Sequence, residues 1–136
     1  METTIEENER REGNKNKKKI LVVDDEPDLT FILKTGLEDT GLFEVYTFNN
    51  PELALSSFTP DYYDFLLIDV RMPKMNGYEL YDKLRDIDSK VKCCFITAYE
   101  INYQAIRECF PTLEMECYAK PLEIDDLIRK INRELE

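Results

Sequence analysis

The chain of 136 residues contains no histidine and no tryptophan. Without imidazole there is no histidine metal ligand, no histidine general base or nucleophile, and no side chain whose ordinary pKa lies between 5 and 8. Its four cysteines, Cys93, Cys94, Cys109 and Cys117, have no C-x-x-C spacing, so neither a zinc site nor a dithiol redox motif can be written. They are expected to be reduced core thiols. No uninterrupted apolar run approaches the roughly 18 residues that a membrane-spanning helix needs, and the N-terminus is charged rather than apolar. Neither a membrane span nor a signal peptide is expected, and the natural compartment is the cytoplasm.

Positive charge is also in short supply. With 29 Asp and Glu against 18 Lys and Arg the formal charge is −11, which disfavours unaided contact with a phosphate backbone. No direct nucleic-acid partner and no membrane partner is expected. Apolar residues nevertheless make up 43% of the chain, enough for one core, and the length suits one domain. The first 19 residues hold five Glu and six Lys or Arg, with Met1 and Ile5 as the only sizeable apolar side chains. Such a segment buries too little to offset the entropy of ordering. The expected organisation is a charged disordered tail over 1–18 and a folded domain over 19–136. The basic run from Lys15 to Lys19 reads as a solvated lead-in to the first strand.

Beyond the tail, apolar runs alternate with helical periodicity. Ile20-Leu21-Val22-Val23 has the continuous β-branched character of a strand buried on both faces, and it stops at Asp24-Asp25-Glu26. Pro27 suits a first helical position, and Leu29, Ile32, Leu33, Gly36 and Leu37 predict one face of a helix stopping near Gly41. Phe43 to Phe48 predicts a strand and Pro51 to Phe58 a short helix. Phe65 to Ile68 predicts a buried strand ending in Asp69. After a Pro- and Gly-containing loop, Tyr78, Leu80, Tyr81, Leu84 and Ile87 have helical spacing. Val91 to Ile96 predicts the fourth strand, Ile101 to Phe110 a helix, Met115 to Ala119 the fifth strand, and Ile124 to Leu135 the final helix. Five strand–helix pairs predict an α/β fold, a doubly wound (βα)5 flavodoxin-like sandwich with a parallel five-stranded sheet in the order 2-1-3-4-5.

In such sheets ligands bind beyond the carboxyl ends of the strands. Strand one ends in Asp24 and Asp25, strand three in Asp69, strand four in Thr97, and Lys120 follows strand five. Three acids, a hydroxyl and an ammonium thus converge on one edge. Two carboxylates 4 Å apart repel by about 4 kcal/mol at an effective dielectric near 20, which a divalent cation would relieve. Oxygen ligands without imidazole or thiolate point to a hard ion, with Mg²⁺ ahead of Ca²⁺. Asp69, at the end of the central strand, is placed to attack a phosphoryl group and become an acyl phosphate.

The segments Ile20 to Pro27, Leu67 to Gly77, Thr97-Ala98 and Tyr118-Ala119-Lys120-Pro121 together resemble the response-regulator receiver domain of two-component signalling. The resemblance implies Mg²⁺ held by Asp24, Asp25, Asp69 and the backbone carbonyl of Arg71, with Asp69 as phosphoacceptor. It further implies Thr97 as switch hydroxyl, Lys120 as the phosphate-pairing lysine, Tyr118 as an aromatic that changes rotamer, and a cis Lys120-Pro121 bond. The expected donor is a phosphohistidine on a sensor histidine kinase or a histidine phosphotransfer domain. The output partner is unspecified, and would be engaged through the face of the fourth helix, fifth strand and fifth helix. No effector domain follows the last helix in this reading, so the chain is expected to be a phosphorelay module rather than a turnover enzyme.

One departure falls within 100–115, where the small-residue, Gly-containing stretch expected before the fifth strand is missing and the fourth helix is expected to be abbreviated or reshaped. Two alternatives compete. A hydrolase of the haloacid-dehalogenase type would need a second acid two residues beyond Asp69, where Arg71 stands. A pseudo-receiver that binds partners without phosphorylation is disfavoured by the complete set of site residue types.

Overall fold

The structure is a computed structural model that describes residues 17–97, 104, 108–109, 116–119 and 123–136, with the backbone alone for Thr97 and 116–119. Among the described residues the elements with defined bounds are, in order, β1 (Lys18–Val23), α1 (Pro27–Glu38), β2 (Phe43–Phe48), α2 (Pro51–Ser57), β3 (Phe65–Asp69), α3 (Gly77–Ile87), β4 (Lys92–Thr97), β5 (Glu116–Ala119) and the C-terminal helix α4 (Ile124–Glu134). All neighbouring strands are parallel, in the order β2-β1-β3-β4-β5. The predicted α/β fold and strand order are therefore present. Of the expected tail over 1–18 only 17 and 18 are described, and Lys18 is already the first residue of β1, in register with Phe43, so the strand begins inside the expected tail. Most of the predicted fourth helix lies outside the described residues.

Strand β3 is buried along its whole length, as its uninterrupted apolar sequence requires of a central parallel strand. Successive side chains alternate across the sheet. Ile20, Val22, Phe65, Leu67, Cys94 and Ile96 pack with α1 and α4, whereas Leu21, Val23, Leu66, Ile68, Cys93 and Phe95 pack with α2 and α3. Cys93 and Cys94 thus fill opposite halves of the core as free thiols, while Cys109 is exposed, contrary to the expectation that every cysteine is a core residue.

Two apolar assignments are corrected. In α1 the buried residues are Thr30, Leu33 and Leu37, and Ile32 is 55% exposed. At 100° per residue Ile32 lies roughly 130° around the helix from the middle of that stripe. A polar residue, Thr30, occupies the core-facing position because its hydroxyl donates to the Pro27 carbonyl at 3.0 Å and accepts from Asn49 at 3.1 Å. In α3, Leu80, Tyr81 and Leu84 are buried but Ile87 is exposed. The chain turns inward one residue later, where buried Asp88 accepts the N–H of Asp61 at 2.9 Å and of Lys90 at 3.1 Å. Helix α1 itself stops at Glu38, three residues before Gly41, whose φ of +78° suits the turn.

Candidate functional site at the strand ends

Parallel strands direct their carboxyl ends to one edge, so the residues that follow β1 and β3 become neighbours although 44 positions separate Asp25 from Asp69. Carboxylate oxygens of Asp24, Asp25 and Asp69 all lie within 4.8 Å of one another. Asp24 and Asp69 are buried and Asp25 is half-buried. Charges at that separation repel by about 3 kcal/mol per pair at an effective dielectric near 20. The cluster offers oxygen ligands only, which suits a hard divalent cation.

The two members of the Asp24-Asp25 pair are held differently. Asp24 continues the β1–β2 ladder by donating its N–H to the Phe48 carbonyl at 3.1 Å. Its Oδ1 accepts the N–H of Glu26, the residue capping α1, at 2.9 Å, so part of its role is that of a turn former. Pro27 then starts the helix at a position where a missing N–H costs nothing.

Asp69 ends β3 beside Ile96 of β4. The next residue, Val70, donates to the Ile96 carbonyl at 2.9 Å and accepts the N–H of Gly77 at 2.9 Å. That second bond closes the 70–77 loop back against the strand end. Within the loop Lys74 adopts a φ of +72°, and Asn76 caps α3 by accepting the N–H of Glu79 at 2.9 Å. An ideal Cβ at Gly77 would fall 2.3 Å from the Asp69 carbonyl oxygen. Arg71 is exposed and, with Val70, Met72, Pro73, Asn76 and Tyr78, lines an open cleft of about 500 Å³ next to Asp69.

Thr97 closes β4 and is in register with Ala119 of β5, and Tyr118 is in register with Ile96, so the backbone brings both to the same end of the sheet as Asp69. Lys120 and Pro121 lie outside the described residues. Two contributions escaped sequence reasoning. By sequence Gly77 is a loop residue and the end of the Leu67–Gly77 segment, without its contact to the Asp69 backbone, and Asn49 has no role; its neighbour Asn50 is the helix cap, accepting from Glu52 and Leu53. Asn49 instead donates to the Asp24 carbonyl at 2.7 Å.

A doubly wound parallel sheet with three acids gathered at its strand ends belongs to the class of α/β proteins that bind their ligands at that edge. Residues 20–132 match the response regulator receiver domain, and the chain belongs to that family, whose setting is two-component signalling. It is 44% identical over 82 residues to the probable transcriptional regulator ycf27 of Porphyra purpurea, covering 60% of this chain and 33% of that protein. Similarity to sporulation initiation phosphotransferase F of Bacillus subtilis is 28% over 109 residues, covering 80% of this chain and 86% of that protein. The chain thus spans about a third of the length of the ycf27 relative and most of the Bacillus one.

Solved structures agree with the fold. The response regulator TrrA of Thermotoga maritima, determined in complex with Mg²⁺ and beryllofluoride, superposes with a TM-score of 0.69 at 30% identity, covering 85% of this chain and 97% of that one. The non-phosphorylated HemR receiver domain of Leptospira biflexa reaches a TM-score of 0.76 at 22% identity, covering 88% and 95%.

Proposed function

We propose that this chain is a phosphoaccepting signalling module, taking a phosphoryl group from a phosphohistidine onto Asp69, in the cytoplasm. The observation that carries the reading is the gathering of Asp24, Asp25 and Asp69 within 4.8 Å at the end of the central strands of a receiver-domain fold. In the transfer, an Asp69 carboxylate oxygen bonds to phosphorus as the phosphorus–nitrogen bond to the donor imidazole breaks. The departing imidazole keeps the bonding pair and takes up a proton. Asp24, Asp25 and Asp69, with the Arg71 carbonyl, would hold Mg²⁺. When bound, that ion supplies the positive charge that offsets the carboxylates and polarises the phosphoryl oxygens.

The remaining roles belong to this chain's own side chains. Lys120 pairs a phosphoryl oxygen and the Thr97 hydroxyl donates to another, with Tyr118 following Thr97 inward. The resulting shift of population alters the surface offered to the partner protein. The donor is a sensor histidine kinase or a histidine phosphotransfer domain. The chain behaves as a switch that is phosphorylated and dephosphorylated rather than as a turnover enzyme.

The test is incubation with Mg²⁺ and acetyl phosphate, read by intact mass, in wild type and Asp69→Asn. The wild type is expected to gain the mass of one phosphoryl group and the variant none. A wild type that gains no adduct, with or without beryllofluoride as the stable mimic, overturns the reading.

A further inference from the structure

We infer that Asn49, at the end of the edge strand β2, is a positioning residue that brackets the acid-bearing loop and sets its affinity for a divalent cation. The inference rests on the phosphoacceptor reading above and names a determinant of that site's cation binding. Asn49 has one side-chain amide with two N–H donors. One N–H goes to the backbone carbonyl of Asp24 at 2.7 Å, and the amide also donates to the Thr30 hydroxyl at 3.1 Å. Thr30 is buried in the first turn of α1, and its hydroxyl donates a hydrogen bond to the Pro27 carbonyl at 3.0 Å. The amide therefore joins the last turn of β1 to the first turn of α1, and the segment between those two anchors contains Asp25.

The bracket matters because the loop carries like charges. Asp24 and Asp25 lie within 4.8 Å of Asp69, and without a cation their mutual repulsion favours opening the loop. The backbone of Asp24 is anchored at both poles by the end of β2, its N–H on the Phe48 carbonyl at 3.1 Å and its carbonyl on Asn49. The chain on either side of the half-buried Asp25 is tied to the same amide, through Asp24 on one side and Thr30 on the other. A loop held in the ligating arrangement beforehand binds a cation more tightly, since less ordering accompanies binding. The same bracket brings Thr30 into the core and turns Ile32 and Phe31 outward, so the orientation of α1 and the geometry of the acids share one cause.

The experiment is titration of the full chain with Mg²⁺ alone by calorimetry, beside thermal midpoints taken without Mg²⁺. Asn49→Ala is expected to raise the Mg²⁺ dissociation constant about three- to tenfold, the range one net hydrogen bond supplies. Thr30→Val, which removes the second anchor, is expected to weaken Mg²⁺ binding at least about twofold, and Thr30→Ser to restore it. Asn49→Ala and Thr30→Val proteins that bind Mg²⁺ as wild type does, with only their midpoints lowered, would reduce Asn49 to a structural link and overturn the inference alone. A wild type that binds no Mg²⁺ removes the functional reading and this inference together. Should Asn49→Ala not fold, the Thr30 pair decides the matter by the same affinities.

Discussion

Gly77 stands against the carbonyl of Asp69 so closely that a Cβ there would lie 2.3 Å from the oxygen and 3.0 Å from the carbonyl carbon. These are backbone atoms of the central strand, and they cannot swing aside as the end of a flexible side chain can. Absence of a side chain at Gly77 is what allows α3 to begin directly beside Asp69, with the Gly77 N–H closing the loop onto Val70 at 2.9 Å.

Gly77→Ala is therefore expected to destabilise the fold by about 1–3 kcal/mol, the usual cost of overpacking, by chemical denaturation. Because the strain falls on the Asp69 backbone, adduct formation with acetyl phosphate should slow by about tenfold or more in the protein that remains folded. Denaturation midpoints and time courses of intact mass measure the two effects separately.

Removing one charge from the acid cluster has opposite consequences with and without cation. Asp25 is the member to change, because Asp24 also holds the Glu26 N–H. Asp25→Asn should raise the thermal midpoint in Mg²⁺-free buffer, as repulsion is relieved, and should abolish most of the midpoint rise that Mg²⁺ gives the wild type. Differential scanning fluorimetry with an extrinsic dye, with Mg²⁺ or with EDTA, reads both.

Phe31 and Ile32 are 69% and 55% exposed on α1, the helix that starts immediately after the Asp24-Asp25 pair. Large apolar side chains in this setting are expected to meet the phosphoryl donor protein. The double variant Phe31→Ser, Ile32→Ser should transfer from a protein donor more than about tenfold more slowly, as loss of interface anchors implies. Its reaction with acetyl phosphate should be unchanged, which separates docking from chemistry. Equal loss with both donors would refute the docking role.

The tyrosine cluster beside β2 predicts a loss of stability at alkaline pH. Burial, the hydrogen bond to Glu44 at 2.5 Å, the contact with the Tyr62 hydroxyl at 2.5 Å and the Glu44 charge all push the Tyr46 phenol well above its ordinary value. Burial first, and then Tyr62, raises Tyr63 as well. A phenol whose pKa is raised on folding keeps its proton in the native state while the unfolded chain releases it. The stability it contributes is full below the ordinary phenol value of 10.0 and declines as pH rises above it toward the folded pKa. Denaturation midpoints measured from pH 8 to 11 should fall above about pH 10, and Tyr46→Phe should flatten that decline.

What could be read from the sequence is what depends on short stretches of chain. Uninterrupted apolar runs such as Phe65 to Ile68 announce buried parallel strands by themselves, and the acids that end them are local facts. Once five strand–helix pairs are counted, the rule that ligands gather at the carboxyl ends of strands brings Asp24, Asp25 and Asp69 together without coordinates. The structure then places their oxygens within 4.8 Å.

Tertiary structure alone decided which face of α1 is buried and what braces the acids. Helical periodicity ranks residues by polarity, and on that scale Ile32 belongs inside and Thr30 outside. The opposite holds because a hydrogen bond from Asn49, 19 positions away, satisfies the Thr30 hydroxyl within the core. The same amide reaches the Asp24 carbonyl across 25 positions, and the close approach of Gly77 to the Asp69 backbone is visible only in the packing. Polarity and period are properties of neighbours in sequence. Hydrogen bonds and close approaches of this kind exist only once distant segments have been brought together.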